Sequence, residues 1–207
     1  MVVVHHLNHS RSQRILWLLE ELGTPYEIKH YLRMDNRLAP PELKAVHPLG
    51  KSPVITDGDR TIAESGAITE YLISTYGAGR LAPARDSADW WTYQQWLHFA
   101  EGTAMTPLLL ALYTGMLGEA GALLQPRIQS EIGSHLGYMS QALGERAFMV
   151  GEELTGADIM LSFVLEASRA RGAFADHPNL VAYLERLQAR PAYKTALEKG
   201  GPYAIGR

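Results

Sequence analysis

The stretch that decides the fold reads His-Pro-Leu-Gly-Lys-Ser-Pro-Val-Ile at residues 47–55 and Ala-Glu-Ser-Gly-Ala-Ile at residues 63–68. It predicts a loop that enters a strand, a hairpin turn at Asp57-Gly58-Asp59, a short strand from Arg60 to Ala63, and a helix that begins at Glu64-Ser65. Together these elements predict a small ligand cradle.

Two features of this stretch suit an extended, peptide-like ligand. If the Ser52-Pro53 bond is cis, both backbone groups of Ser52 can face outward and pair with such a molecule. The helix that begins at Glu64-Ser65 offers free N–H groups and a positive dipole end, which favour a carboxylate. An ordinary strand start at Pro53 and an ordinary helix cap at Ser65 explain each residue singly, whereas the combination predicts a site for a peptide with a terminal carboxylate.

The residues before this stretch predict a strand, a helix and a second strand. Val2-Val3-Val4 begins a β-branched strand, the pattern from about Arg11 to Leu22 is helical, and residues 26–32 form a strand parallel to the first. With a short helix near Pro41 and the elements above, residues 1–76 follow the order β-α-β-α-β-β-α. We therefore expect an α/β thioredoxin-like N-terminal domain.

After residue 76 the strand signals end. Residues 77–86 are rich in glycine, alanine and proline and predict a linker, and residues 87–207 predict an all-α helical bundle domain. One helix should run from about Ser87 and kink or end at Thr106, because Pro107 follows. A second long helix should cover residues 128–143. Thr155 and Asp158 have the spacing of a capping box at the start of a further helix.

Composition limits the classes of function. The chain has 207 residues, a net charge of −3 and no cysteine. The sequence has no basic region typical of nucleic-acid binding, and no stretch approaches the ~20 apolar residues of a membrane span. The absence of a leader pattern favours a cytoplasmic location. Because there is no protein thiol, any thiol chemistry must use a thiol supplied by a ligand. The scattered histidines do not form a metal-ligand pattern, so we expect no metal.

The first stretch resembles the glutathione-binding half of the glutathione transferases, which carries a Pro-x-Gly-Lys/Gln-x-Pro loop and a Glu-Ser pair. Here the loop stands at residues 48–53 and the pair at Glu64-Ser65. Ser52 replaces the valine that is commoner in the family. The run that begins at His9-Ser10-Arg11-Ser12 resembles the bacterial and fungal serine-type subgroup of the cytosolic transferases, and the capping box at residues 155–158 also matches the family.

The resemblance implies specific contacts and partners. Glutathione, as cosubstrate, would be bound by six residues: Arg37 at the glycyl carboxylate, Lys51 by its side chain, Ser52 by its backbone, Pro53 beside it, and Glu64 and Ser65 at the γ-glutamyl end. Family members are homodimers that pair the first domain of one subunit with the helical domain of the other. A homodimer acting on small hydrophobic electrophiles or peroxides follows as the expectation.

The chemistry requires that the bound thiol be ionised, because the thiolate is the nucleophile. Ser10 and Ser12 are the hydroxyls available at the N-terminus of the first helix to stabilise it. Ser10 matches the family's Ser-x-x-x-Arg spacing better, with Arg14 as the arginine, although a pure helix cap would also explain it. Arg11 and Arg14 oppose the helix dipole unless an anion lies nearby, and solvated arginines are the simpler interpretation.

Two further points concern the second substrate and rival functions. Tyr93, Trp96, His98 and Tyr113 are candidates for the electrophile pocket, although aromatics at helical spacing are usually core residues. The main rival function is a non-catalytic binding or regulatory module with the same fold. A thiol-disulfide oxidoreductase of the glutaredoxin type would need a protein cysteine for its usual mechanism, which this chain lacks.

Overall fold

The computed structural model describes residues 1–174 and 176–205. Within this part of the chain a four-stranded sheet forms from β1 (Val2–Leu7), β2 (Tyr26–Tyr31), β3 (Val54–Asp57) and β4 (Arg60–Ala63). The strand order is β2-β1-β3-β4. β1 and β2 are parallel, whereas β3 is antiparallel to both of its neighbours.

Helices surround and follow this sheet. In the first part they are α1 (Gln13–Leu22), α2 (Glu42–Val46) and α3 (Ser65–Tyr76). The second part contains α4 (Trp90–Phe99), a π-helical segment (Ala100–Ala104), α5 (Met105–Gly115), a 3₁₀ segment (Gly118–Leu124), α6 (Gln125–Leu143), α7 (Gly156–Arg169), α8 (Pro178–Ala189) and α9 (Pro191–Gly200). A small mixed sheet with helices followed by a helical part confirms the predicted fold class. The division into domains at residues 76 and 87 stays a prediction.

Helix α1 is the element that joins the two parts. It packs against β1 and α3 on the sheet side and against α7 and α9 on the helical side. Apolar side chains therefore occupy its whole circumference, and Ile15, Leu16, Trp17, Leu18 and Leu19 have no exposed surface. Gly23 ends the helix in the left-handed conformation. The loop that precedes α1 consequently lies where the two parts meet.

The structure corrects some boundaries. α1 begins at Gln13 rather than Arg11, and the helix expected from Ser87 begins at Trp90. Pro107 lies inside α5, and the departure from α-helical geometry occurs earlier, in the π-helical segment. There the N–H of Met105 bonds to the carbonyl of Ala100. Since proline lacks an N–H, α5 loses one regular bond at Pro107, and the carbonyl four residues earlier belongs to Thr103 of the π-helical segment.

The predicted capping box is present at the start of α7. A carboxylate oxygen of Asp158 accepts the N–H of Thr155 at 2.8 Å and its hydroxyl at 2.9 Å. The other carboxylate oxygen accepts the N–H of Met149 at 2.8 Å and the hydroxyl of Tyr183. Asp158 is fully buried, and this burial raises its pKa, although its four donors counteract the shift. The carboxylate thus joins α7, α8 and the loop before α7.

None of the described helices has the length and apolar character needed to cross a membrane.

Candidate functional site

The predicted ligand residues meet at one end of the sheet. Val54 pairs with His5 on one side and with Ala63 on the other. Because β1 runs opposite to β3, the loop after Leu7, the residue Ser52 before β3 and the residue Ser65 after β4 all leave the sheet at the same end. These residues are far apart in the sequence but lie together at one end of the sheet.

The Ser52-Pro53 peptide bond is cis, as hypothesised. The Ser52 hydroxyl donates to the carbonyl of His5 at 2.8 Å and accepts the N–H of Leu7 at 3.3 Å. The serine that replaces the family's valine therefore binds the end of β1 with its side chain.

Ser65 is the first residue of α3, and Glu64 before it adopts a left-handed φ of 69°. The first backbone bond of the helix runs from Ile68 N–H to Glu64 C=O at 2.9 Å, so the preceding N–H groups lie outside the helical ladder. Ser65 is buried, and its hydroxyl has no hydrogen-bond partner within the described residues. A helix end with an unpaired hydroxyl suits an anionic ligand.

Arg37 and Lys51 lie on loops at this same end. Both are exposed, and neither forms an ion pair within the described chain. Arg37 has a φ of 64°, and its N–H bonds to the carbonyl of Met34 at 2.8 Å, so its backbone is fixed in a turn. Two positive side chains are thus available to carboxylates of a ligand.

The loop between β1 and α1 contains the two candidate serines. The Ser10 and Ser12 hydroxyls are 2.8 Å apart, and the Ser12 hydroxyl is 2.8 Å from Nδ1 of His6. Ser12 is 0 % exposed and Ser10 5 %. Burial, with His30 nearby, lowers the pKa of His6 to about 4, so its ring is neutral at pH 7. Ser12 has no surface with which to contact a ligand, and this placement favours Ser10.

Arg11 in this loop and Arg14 in α1 are not solvated, contrary to the simpler interpretation. Arg11 Nε lies 2.9 Å from both carboxylate oxygens of Glu101, which is in the π-helical segment, and Arg14 binds the same carboxylate. Arg14 also donates to the carbonyl of Met160 at 2.8 Å. Burial alone would raise the pKa of Glu101, but the two guanidinium groups outweigh it and hold the pKa below its usual value. The anion that balances the first turn is therefore a protein carboxylate.

The aromatic candidates for the second-substrate pocket separate into two groups. Tyr93 and Trp96 are core residues, and the Tyr93 hydroxyl donates to Glu70 at 2.7 Å. His98 and Tyr113 are exposed. A cleft of about 340 Å³ lies at the other end of α1, between residues 19–26 and Lys199, and contains none of the predicted site residues. Within the described residues no cluster of three histidine, aspartate or glutamate side chains could hold a metal ion.

Comparison with known proteins identifies the family to which the chain belongs. Residues 1–74 match the glutathione S-transferase N-terminal domain family and residues 107–200 match the glutathione S-transferase C-terminal domain family. Glutathione S-transferase 3 of Schizosaccharomyces pombe is 34% identical over 215 residues, which cover 96% of this chain and 88% of the relative. The chain belongs to the glutathione S-transferase superfamily.

Solved structures agree with this membership. A glutathione S-transferase from Actinobacillus pleuropneumoniae superposes with a TM-score of 0.91 at 38% identity and covers 100% of this chain and 96% of that one. A glutathione transferase from Phanerochaete chrysosporium, solved with oxidized glutathione, shares the fold with a TM-score of 0.81 at 21% identity, covering 96% of this chain and 94% of that one.

Proposed function

We propose that the protein is a glutathione transferase that binds glutathione at the end of the sheet where Ser10, Ser52 and Ser65 meet. The bound thiolate joins hydrophobic electrophiles, and the same thiolate reduces organic peroxides. The observation that carries this proposal is that Ser65, whose hydroxyl forms no hydrogen bond within the described residues, begins α3 at the same end of the sheet as the loop that contains Ser52. The glutathione-bound relative of the same fold supports glutathione as the cosubstrate.

The proposed contacts with glutathione differ according to the part of the tripeptide that is bound. The N–H and C=O of Ser52 pair with the backbone of the tripeptide, because Ser52 precedes the ladder that begins at Val54. Glu64, Ser65 and the start of α3 bind the γ-glutamyl end, where an ammonium and a carboxylate occur together. Lys51 and Arg37 bind the glycyl carboxylate.

The catalytic requirement is to ionise the thiol. A free thiol has a pKa of about 8.5, and lowering it by about 2 units needs roughly 2.7 kcal/mol of preference for the thiolate. We assign Ser10 to this task, because it lies in the loop before α1 and is 5% exposed, whereas its neighbour Ser12 has no exposed surface. Ser12 then positions Ser10 through the contact between their hydroxyl groups and does not itself contact the sulfur.

The alternative is a non-catalytic module that keeps the fold. Glutathione-affinity capture, followed by a panel of electrophiles, organic peroxides and mixed disulfides, distinguishes the two. Capture with turnover of an electrophile supports the transferase. Capture without turnover, or failure to bind glutathione, supports the module.

We also propose a cytoplasmic homodimer, on the basis of family membership. Sedimentation at micromolar concentration should give twice the mass of one chain, and a monomeric mass would refute the dimer.

Ser65→Ala is expected to weaken glutathione binding by about 1–3 kcal/mol, because a hydrogen bond to a charged group is lost. Ser74→Ala is the matched control on the same helix, since the Ser74 side chain is exposed and its hydroxyl donates to the carbonyl of Tyr71. Calorimetric titration measures both dissociation constants. An unchanged constant for Ser65→Ala would remove Ser65 from the site.

Ser10→Ala is expected to lower the rate roughly tenfold, to leave glutathione affinity nearly intact and to raise the pKa of the bound thiol. The pH dependence of thiolate ultraviolet absorbance measures this last effect. If Ser10 only caps α1, the variant will instead lose about 1 kcal/mol of stability while the thiol pKa stays unmoved.

A further inference from the structure

His9 lies beside Ser10 and has no role in the site described so far. Its φ of 51° is left-handed, a conformation that costs a non-glycine residue about 1–3 kcal/mol unless its surroundings enforce it. Arg33 donates to the carbonyl of Asn8 and to the carbonyl of His9, each at 3.2 Å. The imidazole is fixed as well, because Nδ1 accepts the backbone N–H of Ala204 at 2.9 Å.

This bond determines the tautomer of His9. A backbone N–H can only donate, so Nδ1 must carry a lone pair and the ring proton must reside on Nε2. The neutral ring is partly exposed and therefore offers one N–H donor next to Ser10.

The donor to His9 belongs to a C-terminal strap, residues 201–205, that is anchored in the core. Tyr203 is buried, and its hydroxyl donates to Glu166 of α7. Glu166 also accepts from Tyr193 and, at 3.0 Å, from Gln188. Because Ala204 follows the anchored tyrosine directly, its N–H is held in place against His9.

Ser10 alone is a weak source of a proton for the sulfur. The Ser12 hydroxyl donates to the carbonyl of Leu7 at 3.3 Å, so its oxygen can accept the proton of Ser10 at 2.8 Å. A thiolate must compete with Ser12 for that proton.

We propose that His9 donates the hydrogen bond of its Nε2–H to the sulfur of bound glutathione, and that the C-terminal strap holds the ring in the tautomer that can do so. The inference rests on the proposed function. No bond is made to His9: the thiol proton leaves to solvent, and the His9 N–H and the Ser10 hydroxyl then share the thiolate charge.

His9→Asn tests the donor. Asparagine tolerates a left-handed backbone and can keep an acceptor near the position of Nδ1, but it has no group at Nε2. The ionisation constant of the thiol of bound glutathione, read from the pH dependence of ultraviolet absorbance, should fall roughly tenfold, as expected for loss of one charge-assisted bond. The glutathione dissociation constant should change by less than about threefold, because the bond forms mainly with the ionised thiol.

Ala204→Pro tests the strap, because it deletes the N–H that bonds to His9, and Ala204→Gly is its matched control because it keeps that N–H. The proline variant should lose thiolate fraction as His9→Asn does, and the glycine variant should match the wild type. The exchange lies beyond α9 and outside the described helices.

The outcomes separate the two proposals. Wild-type protein that fails to bind glutathione overturns the proposed function. Wild-type protein that binds and ionises glutathione, with His9→Asn showing the same thiolate fraction, overturns the role of His9 and leaves the function standing. A normal thiolate fraction in Ala204→Pro overturns the role of the strap.

Discussion

Replacing Asp158 by alanine should lower the free energy of unfolding by about 3–5 kcal/mol, because four buried donors lose their acceptor at once. These are the N–H groups of Met149 and Thr155 and the hydroxyls of Thr155 and Tyr183. Each donor left unsatisfied in the interior costs about 1–3 kcal/mol, and relaxation of the loop before α7 recovers part of the sum.

Urea unfolding monitored by circular dichroism measures this loss. Thr155→Val, which removes one of the four donors, should cost about 1 kcal/mol. Asp86→Ala, at an exposed site, should change stability by less than about 0.5 kcal/mol. If Asp158→Ala behaved like the Asp86 control, the carboxylate would not be the link between α7 and α8 that the structure shows.

Glu101→Gln should cost about 3 kcal/mol, since it keeps the shape of the side chain but leaves the guanidinium of Arg14 without an anion. The Arg14 side chain is only 1% exposed, and its remaining hydrogen bond goes to the carbonyl of Met160. Because Arg14 is on α1 and Glu101 is in the helical part, the loss should also loosen the loop that carries Ser10.

Glu131→Gln supplies the control, because Glu131 pairs with the exposed Arg127 on the surface of α6 and should contribute less than about 1 kcal/mol. The pKa of Glu101 is held below its usual value, so its stabilisation is complete above the usual glutamate pKa and disappears as the pH falls through the lowered one. The difference between wild type and Glu101→Gln should therefore shrink below about pH 4. A difference that persists unchanged at lower pH would rule out the ion pair as its cause.

Structural features that depend on residues close together in the sequence could be predicted. The hairpin follows from Asp57-Gly58-Asp59 because a turn sequence between β-branched residues needs no distant partner, and the observed β4 spans Arg60–Ala63 as expected. The capping box at Thr155 and Asp158 is likewise local. The grouping of Ser52 and Ser65 could be anticipated because one hairpin separates them.

Contacts between distant residues could not be read from the chain. Glu101 lies 87 residues from Arg14, and Ala204 lies 195 residues from His9. The charge of Glu101 gave no indication that it faces α1, because its orientation depends on the π-helical segment. The choice between Ser10 and Ser12 was also open, since both have the same side chain and only packing against His6 makes Ser12 inaccessible.

The π-helical segment at residues 100–104 has an evolutionary consequence. A π turn contains about one residue more than an α turn, so it is equivalent to a single-codon insertion that the helix has absorbed. Each inserted residue rotates everything downstream by about 100° about the helix axis. Gain or loss of one codon here would turn the exposed face of α5, which carries Tyr113, while α4 kept its packing on α7.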